Sequence, residues 1–470
     1  MRLGLNVSMI ILSFLTVATS WSVSAQDIPN TAISIPSLPE LPGSMEYLVV
    51  DPVSNGETYI YEAGMENKVS ILLIHGVGDE GSLNWSHLIP ELAKQYHVVT
   101  FDLPGFGRSS KQNILYSPLF YSKFIEWVKD HYVHDRPFII IGHSLGGAVA
   151  LCYAATQPDN LQRLILADVS GVIHRQALTQ HIMKNIYEKN DGLLKQPTKM
   201  FGMFTSHTMG VMETPDLSDK LEKVLESPDL RSRYLSGDPH KIAGLALANF
   251  DFSNLIYRVN VPAIIIWGAN DPTTPIRTGK LLTYILETAQ FNIVPKTGHN
   301  PILERPDEFN RLIQDALVTE SWQAPWEQLQ KTDRVAVLSD KHNITLTGHY
   351  KSVEISDCKS IRMENFEADL INVIDSDDIV IENSRVNGKD VALHAYESRI
   401  KVTGGQISGE TAIVASGSII DLAGVKITGK KAAVQATVDS RVLFSVSRIE
   451  SPFNKGYIHG LYVVRPGSPL

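Results

Sequence analysis

Hydrophobic positions along the chain fall into three regimes. The first is one apolar stretch, Val7 to Val17, behind Arg2. It is shorter than the about 20 residues a spanning helix needs. Small residues Val23 and Ala25 sit where a leader peptidase reads its substrate, so cleavage before Gln26 is expected. Residues 1–25 are therefore expected to be an export signal, with a periplasmic or extracellular destination. Residues 26–44 are rich in Pro and Ser, lack periodicity and are expected to be a linker.

The second regime runs from Met45 to Val318. Short β-branched runs recur at Tyr47–Val50, Tyr59–Tyr61, Ile71–Ile74, Val98–Phe101, Phe138–Ile141, Leu164–Leu166, Ala263–Trp267 and Phe291–Val294. Helical patterns lie between several of them, at Trp85–Tyr96, Leu119–Tyr132, Leu145–Thr156, Thr278–Glu287 and Asp307–Leu317. The central runs are apolar throughout, as strands covered on both faces must be. This alternation predicts an α/β domain over 45–318, with a mostly parallel, doubly wound sheet. Residues 172–250 break the rhythm with helical, Met-rich sequence and no clear strand. They are expected to be a helical cap or lid.

Residues 319–333 have the character of a connector, and the third regime follows over 334–470. Helical patterning stops. Asp369–Lys389, Asp390–Glu410, Thr411–Lys430 and Lys431–Ser451 are self-similar blocks. The triplets Ile379-Val380-Ile381, Ile400-Lys401-Val402, Ile420-Asp421-Leu422 and Val442-Leu443-Phe444 recur at matching places. So do Val386, Ile407, Ile427 and Ile449. A fixed period with β-branched strands and Asn-Gly, Ser-Gly and Thr-Gly turns predicts an all-β solenoid. The pattern resembles a short right-handed parallel β-helix of the pectate-lyase type. A β-sandwich, with strands spaced by about 8–12 residues and no need for self-similarity, is the alternative.

Composition narrows the function classes. Hydrophobic residues are 43%, which excludes a wholly disordered chain. The net charge is −9 without a long basic run, so a nucleic-acid partner has no electrostatic support. Two cysteines, Cys152 and Cys358, far apart in sequence, predict two free thiols rather than a bridge.

The chemistry concentrates in the second regime. Gly142-His143-Ser144-Leu145-Gly146-Gly147 joins an apolar strand to a helix, the setting of a nucleophile elbow. A serine hydroxyl needs a base. His299, after the run Phe291–Val294, is placed to supply it. The histidine needs a carboxylate to fix its tautomer. Asp271 follows the run Ala263–Trp267 and fits; Asp168, after the preceding strand, is the rival acid. The chain order Ser, Asp, His is that of an α/β-hydrolase. Two backbone N–H groups, those of Leu145 and Val77, are expected to form an oxyanion hole. His75 is expected to brace the Val77 loop. His143, Met203 and Phe204 are tentative substrate contacts, the last two in the apolar Met200–Met212 segment of the cap.

Four separated motifs carry a resemblance. These are His75-Gly76-Val77-Gly78, residues 102–110 (DLPGFGRSS), residues 142–147 (GHSLGG), and the pair 268–275 (GANDPTTP) and 298–309 (GHNPILERPDEF). Residues 45–318 resemble the capped α/β-hydrolase superfamily, whose members include esterases, lipases, C–C bond hydrolases, epoxide hydrolases and dehalogenases. The last two carry an aspartate where Ser144 stands. Cofactor-free haloperoxidase-like members share the triad. The resemblance implies a serine hydrolase of a carboxylic ester; the apolar, Met-rich cap sequence favours a lipophilic acyl group, and nothing in the sequence suggests a cofactor or metal. The acidic run Asp375, Asp377 and Asp378 reads as a solvated turn rather than a calcium site. The C-terminal region is expected to be a non-catalytic accessory that contacts a polysaccharide or a cell surface. A binding or assembly protein that uses the hydrolase fold as scaffold is the competing class.

Overall fold

A computed structural model describes residues 38–189, 217–286, 288–319 and 329–470. The expected export signal, most of the linker, and Met203 and Phe204 with the rest of the Met200–Met212 segment lie outside these residues. The chain divides into two compact units.

The first unit is built on eight strands: β1 (Met45–Val50), β2 (Glu57–Ala63), β3 (Ser70–Ile74), β4 (His97–Phe101), β5 (Phe138–His143), β6 (Leu161–Ala167), β7 (Ala263–Gly268) and β8 (Ala289–Val294). Their order across the sheet is β1-β2-β4-β3-β5-β6-β7-β8. β1, β2 and β4 pair antiparallel, and β4 through β8 are parallel. β3, β5 and β7 are buried along their whole length, because helices cover both faces. β1 alternates partly buried and exposed positions, as an antiparallel edge strand does.

Two expected helices differ in detail. The pattern over Trp85–Tyr96 forms a 3-10 turn, Gly81–Trp85, and a four-residue helix, Ile89–Leu92. Pro90 is the reason: its ring would clash with the carbonyl four residues back in a continuous helix, so the helix starts beside it. The pattern over Leu119–Tyr132 forms the helix Pro118–Val128, capped by Ser117 accepting from Phe120 N–H at 3.1 Å, and then a π turn, Lys129–Val133.

Between β6 and β7 the described residues include the helices Arg175–Lys189, Leu217–Glu226, Pro228–Leu235 and Pro239–Ala248. The last two start on capping side chains, Ser227 and Asp238, each followed by proline in the first turn. These helices fall within residues 172–250, where the apolar strand pattern of the sequence breaks.

The second unit is all β among its described residues 329–470. Its strands are β9 (Val335–Ser339), β10 (His342–Ser356), β11 (Lys359–Ile374), β12 (Ile379–Asn387), β13 (Val391–Tyr396), β14 (Arg399–Ser416), β15 (Ile419–Ala423), β16 (Lys426–Val438), β17 (Ser440–Glu450) and β18 (Lys455–Val464). All pairings among β9 to β17 are parallel; β18 closes on β17 antiparallel. The positions that recur in the sequence pair in register. Ile379, Ile400, Ile420 and Val442 form one column, and Val386, Ile407, Ile427 and Ile449 another. Val353, Ile371, Leu393, Ile413 and Val434 form a third. All three columns are buried in one apolar core. This unit also takes in Asp251–Asn254 and Lys280–Glu287, so residue 318 is not a clean boundary. Spatial contact rather than chain order defines a compact unit, and sequence patterning does not register it.

A polar ladder runs through the stack. Cys358, Ser376, Ser398, Ser418 and Ser440 occupy equivalent turns. The backbone N–H of each of the first four donates to the side-chain oxygen of the next, at 3.0, 3.0, 3.1 and 3.3 Å. Lys341 N–H donates to Cys358 Sγ at 3.4 Å. Each serine hydroxyl in turn donates to a carbonyl two residues back. Buried turn backbone is thereby satisfied without water. Cys152 and Cys358 are free and buried.

Candidate active site

Ser144 connects β5 to the helix Leu145–Thr156 with φ 53° and ψ −114°, an unusual backbone conformation for a residue with a side chain. Hydrogen bonds hold it there. Its N–H donates to Ala167 O at 2.9 Å, and its carbonyl accepts from Gly147 and Ala148. The turn closes only because Gly142 and Gly146 flank it. A Cβ on Gly146 would lie 2.1 Å from the Ile74 carbonyl oxygen. The side-chain oxygen of Ser144 therefore stands at the end of the helix where orphan N–H groups converge, Leu145 first among them.

His299 lies on the loop after β8. Its Nδ1 is 2.8 Å from Asp271 Oδ2, and its Nε2 is 2.9 Å from Ser144 Oγ. A carboxylate only accepts, so Nδ1 carries the proton and Nε2 offers its lone pair to the serine hydroxyl. Asp271 follows β7, and its side chain is fully buried. Its Oδ1 accepts from Thr273 N–H at 2.7 Å and Thr274 N–H at 3.0 Å, and Oδ2 also accepts from the Thr274 hydroxyl. Burial alone would raise its pKa. The His299 charge and these hydrogen bonds outweigh burial and hold the carboxyl below its usual range. The three residues singled out from sequence thus form one connected relay.

Asp168, the rival acid, does not bond to His299. It is fully buried after β6, and its Oδ1 accepts from Gly268 N–H at 2.8 Å. Burial, then the charge of Asp271, pushes its carboxyl well above the usual range. Asp168, Asp271 and His299 are the one cluster of three potential metal-ligating side chains among the described residues. The relay already commits both ring nitrogens of His299, to Asp271 and to Ser144.

The loop after β3 carries the second expected oxyanion donor. Gly76 packs on the nucleophile, since a Cβ there would lie 2.9 Å from Ser144 Cβ. His75 Nε2 accepts from Leu103 N–H at 2.8 Å, so its Nδ1–H donates to Gly76 O at 2.6 Å. In a trans peptide the next N–H points opposite to that carbonyl. The Val77 N–H is therefore turned away from His75, and bracing this peptide is the work of that ring. Burial lowers the His75 pKa, which keeps the ring neutral for both bonds.

His143, a tentative substrate contact in the sequence, also braces the histidine loop. Its ring is buried, and Nε2–H donates to the His299 carbonyl at 2.7 Å. Burial, followed by the proximity of His299, pushes its pKa down to about 3. In the unfolded chain it titrates near the ordinary value of about 6.5. Its contribution to stability is therefore complete above pH 6.5 and is lost as pH falls toward 3. The slope is about 1.4 kcal/mol per pH unit. Denaturant unfolding at pH 7.5 and pH 5.5 is expected to show wild type losing about 1 kcal/mol more than His143→Gln. Equal losses would remove this account.

Two contributors carried no assignment in the sequence reading. The Glu304 carboxylate accepts from Gly298 N–H at 2.7 Å and Asn300 N–H at 3.2 Å, gripping the backbone on both sides of His299. Its position in the GHNPILE run was visible; a two-pronged grip needs the folded loop. Ser170 Oγ lies 3.0 Å from Ser144 Oγ. Ser144 gives its proton to His299, so Ser170 is the donor of this pair. No local pattern marks it. In the cap, Asn185 Nδ2 donates to Pro272 O at 3.2 Å, and His181 Nε2 lies 3.0 Å from Asp271 O, which ties the helix Arg175–Lys189 to the acid loop.

A strained serine, a histidine, a buried carboxylate and a braced amide meet on a mostly parallel sheet, an arrangement that fits a hydrolase. Residues 69–306 match the family model described as alpha/beta hydrolase fold, and the chain belongs to that family. Among curated relatives, a Pseudomonas putida 2-hydroxy-6-oxononadienedioate/2-hydroxy-6-oxononatrienedioate hydrolase is 26% identical over 271 residues, covering 54% of this chain and 89% of the relative. A pimeloyl-[acyl-carrier protein] methyl ester esterase of Chromobacterium violaceum is 27% identical over 261 residues, covering 53% and 95%. A solved putative lipase from Acinetobacter baumannii shares 22% identity with a TM-score of 0.42, covering 59% of this chain and 91% of that one.

Proposed function

We propose that the chain is an exported serine hydrolase of carboxylic esters, with a lipophilic acyl group preferred. The observation that carries the proposal is the relay Asp271–His299–Ser144, with links of 2.8 and 2.9 Å. Ser144 Oγ attacks the ester carbonyl while His299 Nε2 takes its proton. Asp271 keeps the imidazolium in place. The N–H groups of Leu145 and Val77 receive the oxyanion. His299 then protonates the leaving alcohol, and water, activated by the same ring, hydrolyses the acyl-enzyme. The name of the Chromobacterium violaceum relative, a methyl ester esterase, supports this reading.

A second reading, hydrolytic cleavage of a C–C bond in a 2-hydroxy-6-oxo dienoate, is favoured by the name of the Pseudomonas relative. One panel separates the two. With p-nitrophenyl esters of increasing acyl length, kcat/KM is expected to rise about fourfold per added methylene, as burial of one CH₂ is worth about 0.8 kcal/mol. A dienoate turned over faster than every ester would overturn the ester reading.

For the C-terminal unit we propose a short right-handed parallel β-helix with an accessory role, contacting a polysaccharide or a cell surface. The in-register apolar columns at repeat spacing support that architecture. Retention on insoluble polysaccharide or whole cells tests the role, and equal retention of a chain lacking residues 334–470 would overturn it.

A further inference from the structure

The relay holds one carboxyl group more than a triad uses. Asp168 is fully buried, and no N–H or hydroxyl donates to its Oδ2, while its side chain lies against the Asp271 carboxyl. An unmet carboxyl oxygen in the interior is costly, so its position calls for a cause. The fold places it deliberately. Asp168 is the residue after β6, with φ 44°, and its N–H donates to Ile266 O on β7 at 3.1 Å. Its Oδ1 is fixed by Gly268 N–H. Carboxyl oxygens of Asp168 and Asp271 and a ring nitrogen of His299 all lie within 4.8 Å of one another.

Two carboxylates this close in a buried site do not both ionise. The hydrogen bonds decide which one does. Asp271 accepts from two backbone N–H groups, the Thr274 hydroxyl and His299 Nδ1. Asp168 accepts from one N–H. Asp271 therefore holds the charge and Asp168 the proton. We propose that Asp168 is a reserve acid for His299: neutral while Asp271 is charged, it becomes the carboxylate partner of the imidazole when Asp271 loses its charge. The switch is one proton, which passes from Asp168 to Asp271 when Asp271 becomes neutral, or to water when residue 271 is asparagine, with no bond made or broken among heavy atoms. Asp168 acts through His299 and is a positioning residue.

This rests on the serine-nucleophile reading, and the test separates the two. The readout is inactivation of the full chain by a fluorophosphonate, resolved into kinact and KI. Asp271→Asn is expected to keep kinact at least tenfold above that of His299→Ala. Adding Asp168→Asn to Asp271→Asn is expected to lower kinact at least 50-fold further, with KI unmoved. Asp168→Asn alone, which keeps an oxygen for Gly268 N–H, is expected to cost less than tenfold. A packing role would give the same factor in both backgrounds. Equal factors, or Asp271→Asn as slow as His299→Ala, overturn the proposal while the nucleophile reading stands. A wild type that fails to label overturns both.

Discussion

Alanine at position 144 is expected to lower ester turnover by about 10⁶ in kcat while leaving KM within a few-fold. The size follows from how the relay works as a unit. In the proposed reaction His299 Nε2 begins by taking the Ser144 proton across 2.9 Å, and without the hydroxyl no acyl-enzyme forms for its later proton transfers to serve. What survives is binding and the N–H groups of the oxyanion hole, which supply a residual acceleration of about 10³ over water. Steady-state kinetics and fluorophosphonate labelling check this together. More than a hundredth of wild-type kcat in Ser144→Ala would remove this serine from the reaction.

The second large effect concerns Gly146. Its Cα faces the end of β3, and a methyl group there would meet Ile74 O at 2.1 Å, Ile74 C at 2.6 Å and His75 O at 2.7 Å. All three are backbone atoms of the strand that leads into the Val77 loop, so no side chain can swing aside. Gly146→Ala must push the Leu145–Thr156 helix off the sheet or distort the loop. Overpacking of this kind costs about 3 kcal/mol, and a domain of this size then loses about 6–12 °C in melting temperature. Activity is expected to fall with stability, because helix and loop each carry one oxyanion donor. A thermal scan showing a midpoint within 2 °C of wild type would contradict the packing argument.

The α/β architecture and the relay were legible because each rests on local signals. Buried parallel strands read as unbroken apolar runs, and the elbow, the acid turn and the histidine loop each sit at the end of such a run. Contacts across the fold were not legible. Nothing near His143 says that its imidazole holds the His299 carbonyl, and nothing near Ser170 says that it faces Ser144. Asp168 and Asp271 were competing acids in the sequence, since both follow strands. The paired threonines after Asp271 decide between them, through N–H groups that only the folded turn aims. The apolar spacing over Trp85–Tyr96 predicts one helix, and Pro90 within it divides the run. In the C-terminal unit the apolar columns announced themselves, while the serine ladder did not: a single small polar residue per repeat is a faint signal beside β-branched triplets.

That ladder changes what counts as a repeat. Successive rungs from Cys358 to Ser440 are separated by 18, 22, 20 and 22 residues, yet each is joined to the next by the same bond. The hydrogen bond from rung to rung is constant, while the number of residues between rungs is not. Insertions and deletions between rungs leave that bond in place. Such a unit can evolve a new outline, one repeat at a time, on an unaltered spine.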